Sequence, residues 1–343
     1  MTDEPVDIAI IGAGTMGEWH ARALGQVPGA RVVAVVDAVA ERAWRLAHAC
    51  EARWYTSPDD LWAGMDIAGV VIATPSESHH ELTVAAARAG MHVLVEKPAA
   101  LSLAELGAMQ RACSSAGVAL LVGQTLRFGD LGRALHACAA AGDVGEPVYC
   151  HLVTNTRRPW PGGWRSWQTD AARSGGMALH LAIHNLDLAL WLLDSPPAVV
   201  FAQGADLAAP GLGVSDYQHI LVRCRNGASA LVESHSSLVG RGNAYQSARL
   251  LGTRGQADWS IREDDLLIED GGVRFAFGGL ESAQRRLAEH FVACCRGEAA
   301  PLVTAEQARW ALAAAVAANR SMASGDAVDA AAVLAEAHEV LSP

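Results

Sequence analysis

The chain opens on a nearly unbroken apolar run, residues 6–11 (VDIAII), and the same texture returns at 31–37 (RVVAVVD), 69–75 (GVVIATP), 92–98 (HVLVEKP) and 118–124 (VALLVGQ). Short continuous runs of this kind suit strands buried on both faces. Between them lie segments of helical periodicity. One is 79–90 (HHELTVAAARAG), stopped by Gly90; another is 102–117 (SLAELGAMQRACSSAG), opened by Ser102. Strand–helix alternation predicts a doubly wound parallel sheet, which binds ligands at the carboxyl ends of its strands. Those ends are Thr74-Pro75, Glu96-Lys97-Pro98 and Gln124.

After Gln124 the texture changes to apolar–polar alternation at 147–155, 218–227, 228–237, 247–255, 257–270 and 272–279. Alternation predicts half-buried strands. Asn226-Gly227 suits a hairpin turn that needs positive φ, so this second sheet is expected to be mostly antiparallel. A helix is expected over 174–193 (SGGMALHLAIHNLDLALWLL). The expected division is 1–124 for a dinucleotide-binding domain and 125–343 for a second α/β domain.

Composition narrows the class. Of 343 residues, 26 are basic and 37 acidic, a net charge of −11. A nucleic-acid partner would need a basic face and is not expected. The seven cysteines, Cys50, Cys113, Cys138, Cys150, Cys224, Cys294 and Cys295, form no C-x-x-C pair, so reduced, mostly buried thiols are expected. The first residues lack a basic leader pattern. The longest apolar stretches, such as 308–318, fall short of the ~18–20 residues that span a bilayer. A cytoplasmic protein with no membrane partner is expected.

The chemistry starts at Gly12-Ala13-Gly14-Thr15-Met16-Gly17, between the first strand and a helix. Gly12 permits the tight turn, Gly14 a close approach of backbone to pyrophosphate, and Gly17 close helix–strand packing. The helix N-terminus adds N–H donors and a positive dipole end, at Thr15 and Met16. Asp37 ends the second strand, twenty residues past Gly17. Its carboxylate can take both ribose hydroxyls and would repel a 2′-phosphate, which favours NAD over NADP, although Arg42 nearby weakens that preference. Thr74, Pro75, His79, Glu96 and Lys97 complete the expected cofactor set. Lys97 could donate to a reacting oxygen, or it could be a surface lysine paired with Glu96.

The segments GAGTMGEWHARAL, VIATPSESHHELTVAAARAGMHVLVEKPAA and SGGMALHLAIHNLDLALWLL together resemble the glucose–fructose oxidoreductase, inositol dehydrogenase and rhizopine catabolism superfamily over nearly the whole chain. The tail from 290 to 328 is similar too. The resemblance implies an N-terminal Rossmann domain, a C-terminal α/β domain with a large open sheet, and pairing into homodimers or homotetramers. It implies a catalytic Lys97, and a general base at His184 that takes a hydroxyl proton as hydride leaves for NAD. Many relatives carry Asp where this chain has His180, so the usual Asp–His couple is altered here. The implied activity is interconversion of a secondary alcohol and a ketone on a cyclic polyol, sugar or sugar derivative. A redox-neutral elimination or epimerisation on held NAD, and a nucleotide-sensing protein without catalysis, are the alternatives.

His180 and His184 share one face of a helix. They can serve hydride transfer, hold a metal together with His151 or His235, or pack in a core. The ligand set for a metal is incomplete, so none is expected. Asp187 follows on nearly the same face, where it can orient an active-site group or only cap or pair structurally, the second being the expectation. The tryptophan-rich segment 157–176 offers Trp160, Trp164 and Trp167 to a sugar ring and Arg157, Arg158 and Arg165 to an anion, or is an anchored surface loop. Arg127, Asn155, Trp164, His180, His184 and His235 are the substrate-binding candidates.

Overall fold

In the computed structural model of the chain the described residues are 5–62, 67–157, 166–207, 211, 213–238, 245–260, 266–269 and 280–339. They form two compact units, one of Met1–Ala100, Glu105–Phe128 and Gly279–Ala305, the other of Leu101–Ala104, Gly129–Gly278 and Glu306–Pro343.

In the first unit, strands β1 (Val6–Ile11), β2 (Ala30–Val36), β3 (Arg53–Tyr55), β4 (Gly69–Ile72), β5 (His92–Val95) and β6 (Leu120–Val122) make one parallel sheet. Their order is β3-β2-β1-β4-β5-β6. Helices α1 (Thr15–Leu24), α2 (Ala40–Ala49), α3 (Pro58–Trp62), α4 (His79–Arg88) and α5 (Leu103–Ala116) connect them. Ile8, Ile10, Val71 and Val93 are fully buried, because both sheet faces are covered. That is why these strands carry no alternation. The strand order reverses between β1 and β4, the topological switch point where such sheets bind ligands.

In the second unit, helix α6 (Asp130–Ala141) precedes β7 (Pro147–Arg157), then α7 (Ala171–Ser174) and α8 (Ile183–Leu193). Strands β8 (Pro197–Ala205), β9 (Tyr217–Cys224), β10 (Ser229–Leu238), β11 (Tyr245–Gly252), β12 (Gln256–Ser260), β13 (Leu266–Glu269) and β14 (Val328–Asp329) follow. The sheet order is β13-β12-β11-β7-β10-β9-β8-β14. Only β7 and β10 pair in parallel; the other neighbours are antiparallel. On β9, Gln218, Ile220, Val222 and Cys224 are buried, while His219, Leu221 and Arg223 are exposed. The buried, even-numbered face packs against α8, where Asn185 Nδ2 donates to Thr154 Oγ1 at 2.8 Å. The odd-numbered residues form the outer face.

Of the remaining helices, α9 (Leu280–Cys295) belongs to the first unit and packs on α1, whereas α10 (Ala305–Ser324) and α11 (Ala330–Glu339) belong almost wholly to the second. The return of α9 has no local signal in the sequence.

Three local expectations are revised. The helix expected over 174–193 is interrupted. Gly175 and Gly176 both take φ of +77°, which ends α7, and a π-helical turn at Ala178–Ala182 precedes α8. The helical run Ala171–Leu193 is nonetheless long and apolar enough to cross a membrane by length and composition, a run the sequence reading did not foresee. Since 83% of its apolar window is buried inside the protein, it is a core helix here. The turn at 225–228 has positive φ only at Gly227, +92°. Asn226 instead accepts from the Ala228 N–H through Oδ1 at 3.0 Å. The strand expected at 272–279 lies outside the described residues.

Candidate active site

The glycine turn has the steric character its sequence predicts. A Cβ on Gly12, whose φ is +101°, would lie 2.5 Å from the Ala73 carbonyl oxygen, and one on Gly17 would lie 1.9 Å from the Gly12 oxygen. Those two glycines bring backbone against backbone. A Cβ on Gly14 would meet nothing within 4 Å. Gly14 is also the N-cap of α1 and, being glycine, brings no capping side chain of its own to that helix end. A helix N-terminus whose N-cap leaves open space is what a pyrophosphate requires.

Asp37 follows β2. Its Oδ2 accepts from the Ala13 N–H at 2.8 Å, and Oδ1 from the Val39 N–H at 2.8 Å. The carboxylate is therefore fixed beside the glycine turn, and each oxygen keeps lone-pair capacity for a ribose hydroxyl. The residues present fit NAD.

At the neighbouring strand ends, Thr74 Oγ1 accepts from Ser78 Oγ at 2.7 Å, and Pro75 caps a short 3-10 turn. His79 and Glu96, expected to reach the cofactor, use their polar atoms inside the unit. His79 is 1% exposed, with Nδ1 2.8 Å from the Pro98 carbonyl and Nε2 3.0 Å from the Thr74 carbonyl. It ties the turn after β4 to the turn after β5. Burial lowers its pKa, against the pull of both carbonyls. A neutral ring carries one N–H, so it can satisfy only one carbonyl at a time. Glu96 is buried, with Oε1 2.7 Å from His20 Nε2 and Oε2 accepting from the Lys97 N–H at 3.1 Å.

Lys97, just past β5, is half-buried. Burial lowers its pKa, and the Glu96 carboxylate partly offsets this. His20 is the functional neighbour that the sequence reading missed. It lies on α1, three residues past Gly17, and through Glu96 it links the cradle helix to the backbone of Lys97. A histidine on the sheet-facing side of that helix was the available signal. Arg127, in a short turn after β6, is 1% exposed.

In the second unit, His180 sits in the π turn and is 9% exposed, while His184 opens α8 and is half-buried. π turns recur at functional sites. Trp167 meets His180 edge to face, with ring centroids 5.5 Å apart and planes at 88°. Asp187 is completely buried, consistent with a structural role. Asn155 and His235 depart from the expected cleft. Register pairs them with each other on the odd-numbered row of β7 and β10, whereas α8 covers the even-numbered row. His151 belongs to that same outer row, so the alternative metal set of His180, His184 and His151 or His235 is not assembled. Trp160, Trp164, Arg158 and Arg165 lie outside the described residues, as does the side chain of Arg157.

Two family models match the chain. The family model for an oxidoreductase family with an NAD-binding Rossmann fold matches residues 6–124, and that for the GFO/IDH/MocA C-terminal domain matches 133–258. The chain is 26% identical over 330 residues to a myo-inositol 2-dehydrogenase of Thermotoga maritima, covering 92% of this chain and 96% of that one. It is 32% identical over 222 residues to a 2,7-anhydro-N-acetylneuraminate hydratase of Mediterraneibacter gnavus, covering 63% of this chain and 57% of the hydratase. Among solved structures, a myo-inositol dehydrogenase of Corynebacterium glutamicum superposes with a TM-score of 0.80 at 25% identity, over 95% of this chain and 98% of that one. The chain belongs to the GFO/IDH/MocA family and is an NAD-dependent oxidoreductase.

Proposed function

We propose that the chain interconverts a secondary alcohol and a ketone on a cyclic polyol, sugar or sugar derivative. The observation that carries this reading is Lys97, a half-buried amine at a strand end beside the switch point, with its pKa lowered by burial. An amine so placed gives a hydrogen bond to an oxygen as negative charge grows on it. NAD, when bound, accepts the hydride from the substrate carbon. The turn Gly12–Gly17, the N-terminus of α1 and Asp37 hold the dinucleotide.

His184 takes the hydroxyl proton in the oxidising direction and returns it in the reducing one. An imidazole suits that role because its ordinary pKa is near ~6.5. His180 orients a second substrate hydroxyl. The myo-inositol 2-dehydrogenase relative supports the polyol class.

The test is NADH absorbance on mixing the protein with NAD⁺ and a panel of inositols, sugars and sugar derivatives. Turnover on a polyol, lost in Lys97→Met and His184→Ala with NAD⁺ binding retained, supports the reading. Turnover unchanged in both variants refutes it. The hydratase relative favours one second reading, a redox-neutral elimination or addition of water with no net NADH. Product formation with flat absorbance would select it.

A further inference from the structure

We propose that the outer face of the second sheet carries a zinc site built from His219, Glu233 and His235. Among the described residues these three are the one group of His, Cys, Asp or Glu side chains close enough to share an ion, each offering a ligand atom within 4.8 Å of the others. The backbone explains how they meet. Glu233 and His235 are two apart on β10, so both point to one face. His219 on β9 stands directly opposite Glu233 in the antiparallel pair and diagonal to His235. The strand ladder thus fixes all three Cα positions before any ion arrives.

The ligand geometry fits zinc. Two imidazole nitrogens bound to tetrahedral zinc at about 2.0–2.1 Å lie about 3.3 Å from each other. His219 Nε2 and His235 Nε2 are 3.1 Å apart. In a plain hydrogen bond one of these rings must be the acceptor. With zinc both present lone pairs to the ion, and the same separation serves. Two imidazoles and a carboxylate form a recognised zinc donor set, and three protein ligands leave a fourth position for water or an outside group. The carboxylate is held from behind: His151 Nε2, on β7, lies 2.7 Å from Glu233 Oε1. Support of a ligating carboxylate by a hydrogen bond is the usual outer-shell arrangement. No residue of this set is needed by the hydride chemistry proposed above.

The experiment is a zinc titration of the metal-stripped full-length protein against a chromophoric competitor, with the thermal midpoint followed in parallel. One zinc per chain is expected at micromolar concentrations, with a raised midpoint. His219→Ala, at an exposed position, should still fold and should weaken binding by at least tenfold. His235→Ala and Glu233→Gln should do the same, and His151→Ala should cost about 10- to 100-fold. His48→Ala, an exposed histidine on α2, should change nothing. Failure to take up zinc would overturn the site. So would uptake undiminished in the His219, Glu233 and His235 variants, or uptake lost in His180→Ala instead.

Discussion

Replacing Gly14 by alanine adds a methyl group with nothing within 4 Å of it, while the same change at Gly17 drives a carbon to 1.9 Å from the Gly12 oxygen. The two variants should therefore fail differently. The backbone around Gly12 is pinned, its N–H donating to the Val36 oxygen and the Ala73 N–H to the Ile11 oxygen, so the clash at Gly17 cannot relax cheaply. Overpacking of this kind costs about 1–3 kcal/mol, and each kcal/mol lowers the midpoint by roughly 2–4 °C in a domain of this size class. Gly12→Ala adds left-handed backbone strain of about 1–3 kcal/mol to a 2.5 Å contact. Gly14→Ala should leave stability within about 0.5 kcal/mol. Its methyl group occupies the space a pyrophosphate needs, and losing one charged hydrogen bond costs about 1.5–3 kcal/mol, or roughly 10- to 100-fold in Kd. Thermal melting without cofactor and calorimetric NAD⁺ titration separate the two effects. A Gly14→Ala variant that binds NAD⁺ like the parent would refute the cradle argument, whatever its midpoint.

Other consequences are as direct. Lys97→Met should lower kcat by about 10²–10⁴-fold, yet should not lower the melting midpoint at neutral pH, because it removes a charge whose burial is unfavourable; a clear loss of stability would contradict this. In the parent, the basic limb of the kcat/KM profile should lie below the ordinary lysine value of about 10.4; a limb at or above it would exclude Lys97 as the group observed. His180→Asp should raise the acidic limb of the same profile, because a carboxylate near His184 favours its protonated form; an unmoved limb would separate the two side chains. Stability should fall on acidification from about pH 6.5. Burial lowers the folded pKa values of His79, His92, His235 and His290, so the unfolded chain binds protons first. His79→Gln should flatten that acid slope in pH-dependent melts, and an unchanged slope would remove His79 from the account.

The first unit was legible because its information is local. Continuous apolar runs, a glycine turn and an acidic strand end are each written within a few residues, and in a parallel βαβ sheet local order fixes the neighbours. What escaped notice there is contact between distant segments. Glu96 looked like a ligand-facing residue at a strand end, but a histidine from α1, 76 residues away, takes its carboxylate. His79 looked equally available until two carbonyls on different turns enclosed its ring. The first unit's last helix, α9, gave no hint in its own sequence of the unit it would join. The break in the histidine helix needed Gly175 and Gly176 to be read as left-handed rather than as flexible.

The second sheet shows a different limit. Alternation tells which residues of one strand share a face: His235 must go with Glu233, and His151 with Asn155. It does not tell which strand lies alongside which. Here β7 and β10 pair in parallel although Tyr149 and its partner Ser229 stand 80 residues apart, and on its other side β7 pairs antiparallel with β11, Tyr149 opposite Leu251. That crossover register sets His151 near Glu233, whereas His219 meets Glu233 and His235 through the antiparallel pairing of the consecutive strands β9 and β10. Helix α8, bearing His184, packs on the opposite parity. A histidine-rich chain therefore divides its imidazoles by sheet face. One set stands on a buried helix where proton transfer is proposed, and the other on strands where lone pairs converge at zinc-like spacing. Parity within each strand was readable from the start, and so was the hairpin of β9 and β10; the pairing that puts His151 behind Glu233 is a long-range property of the fold.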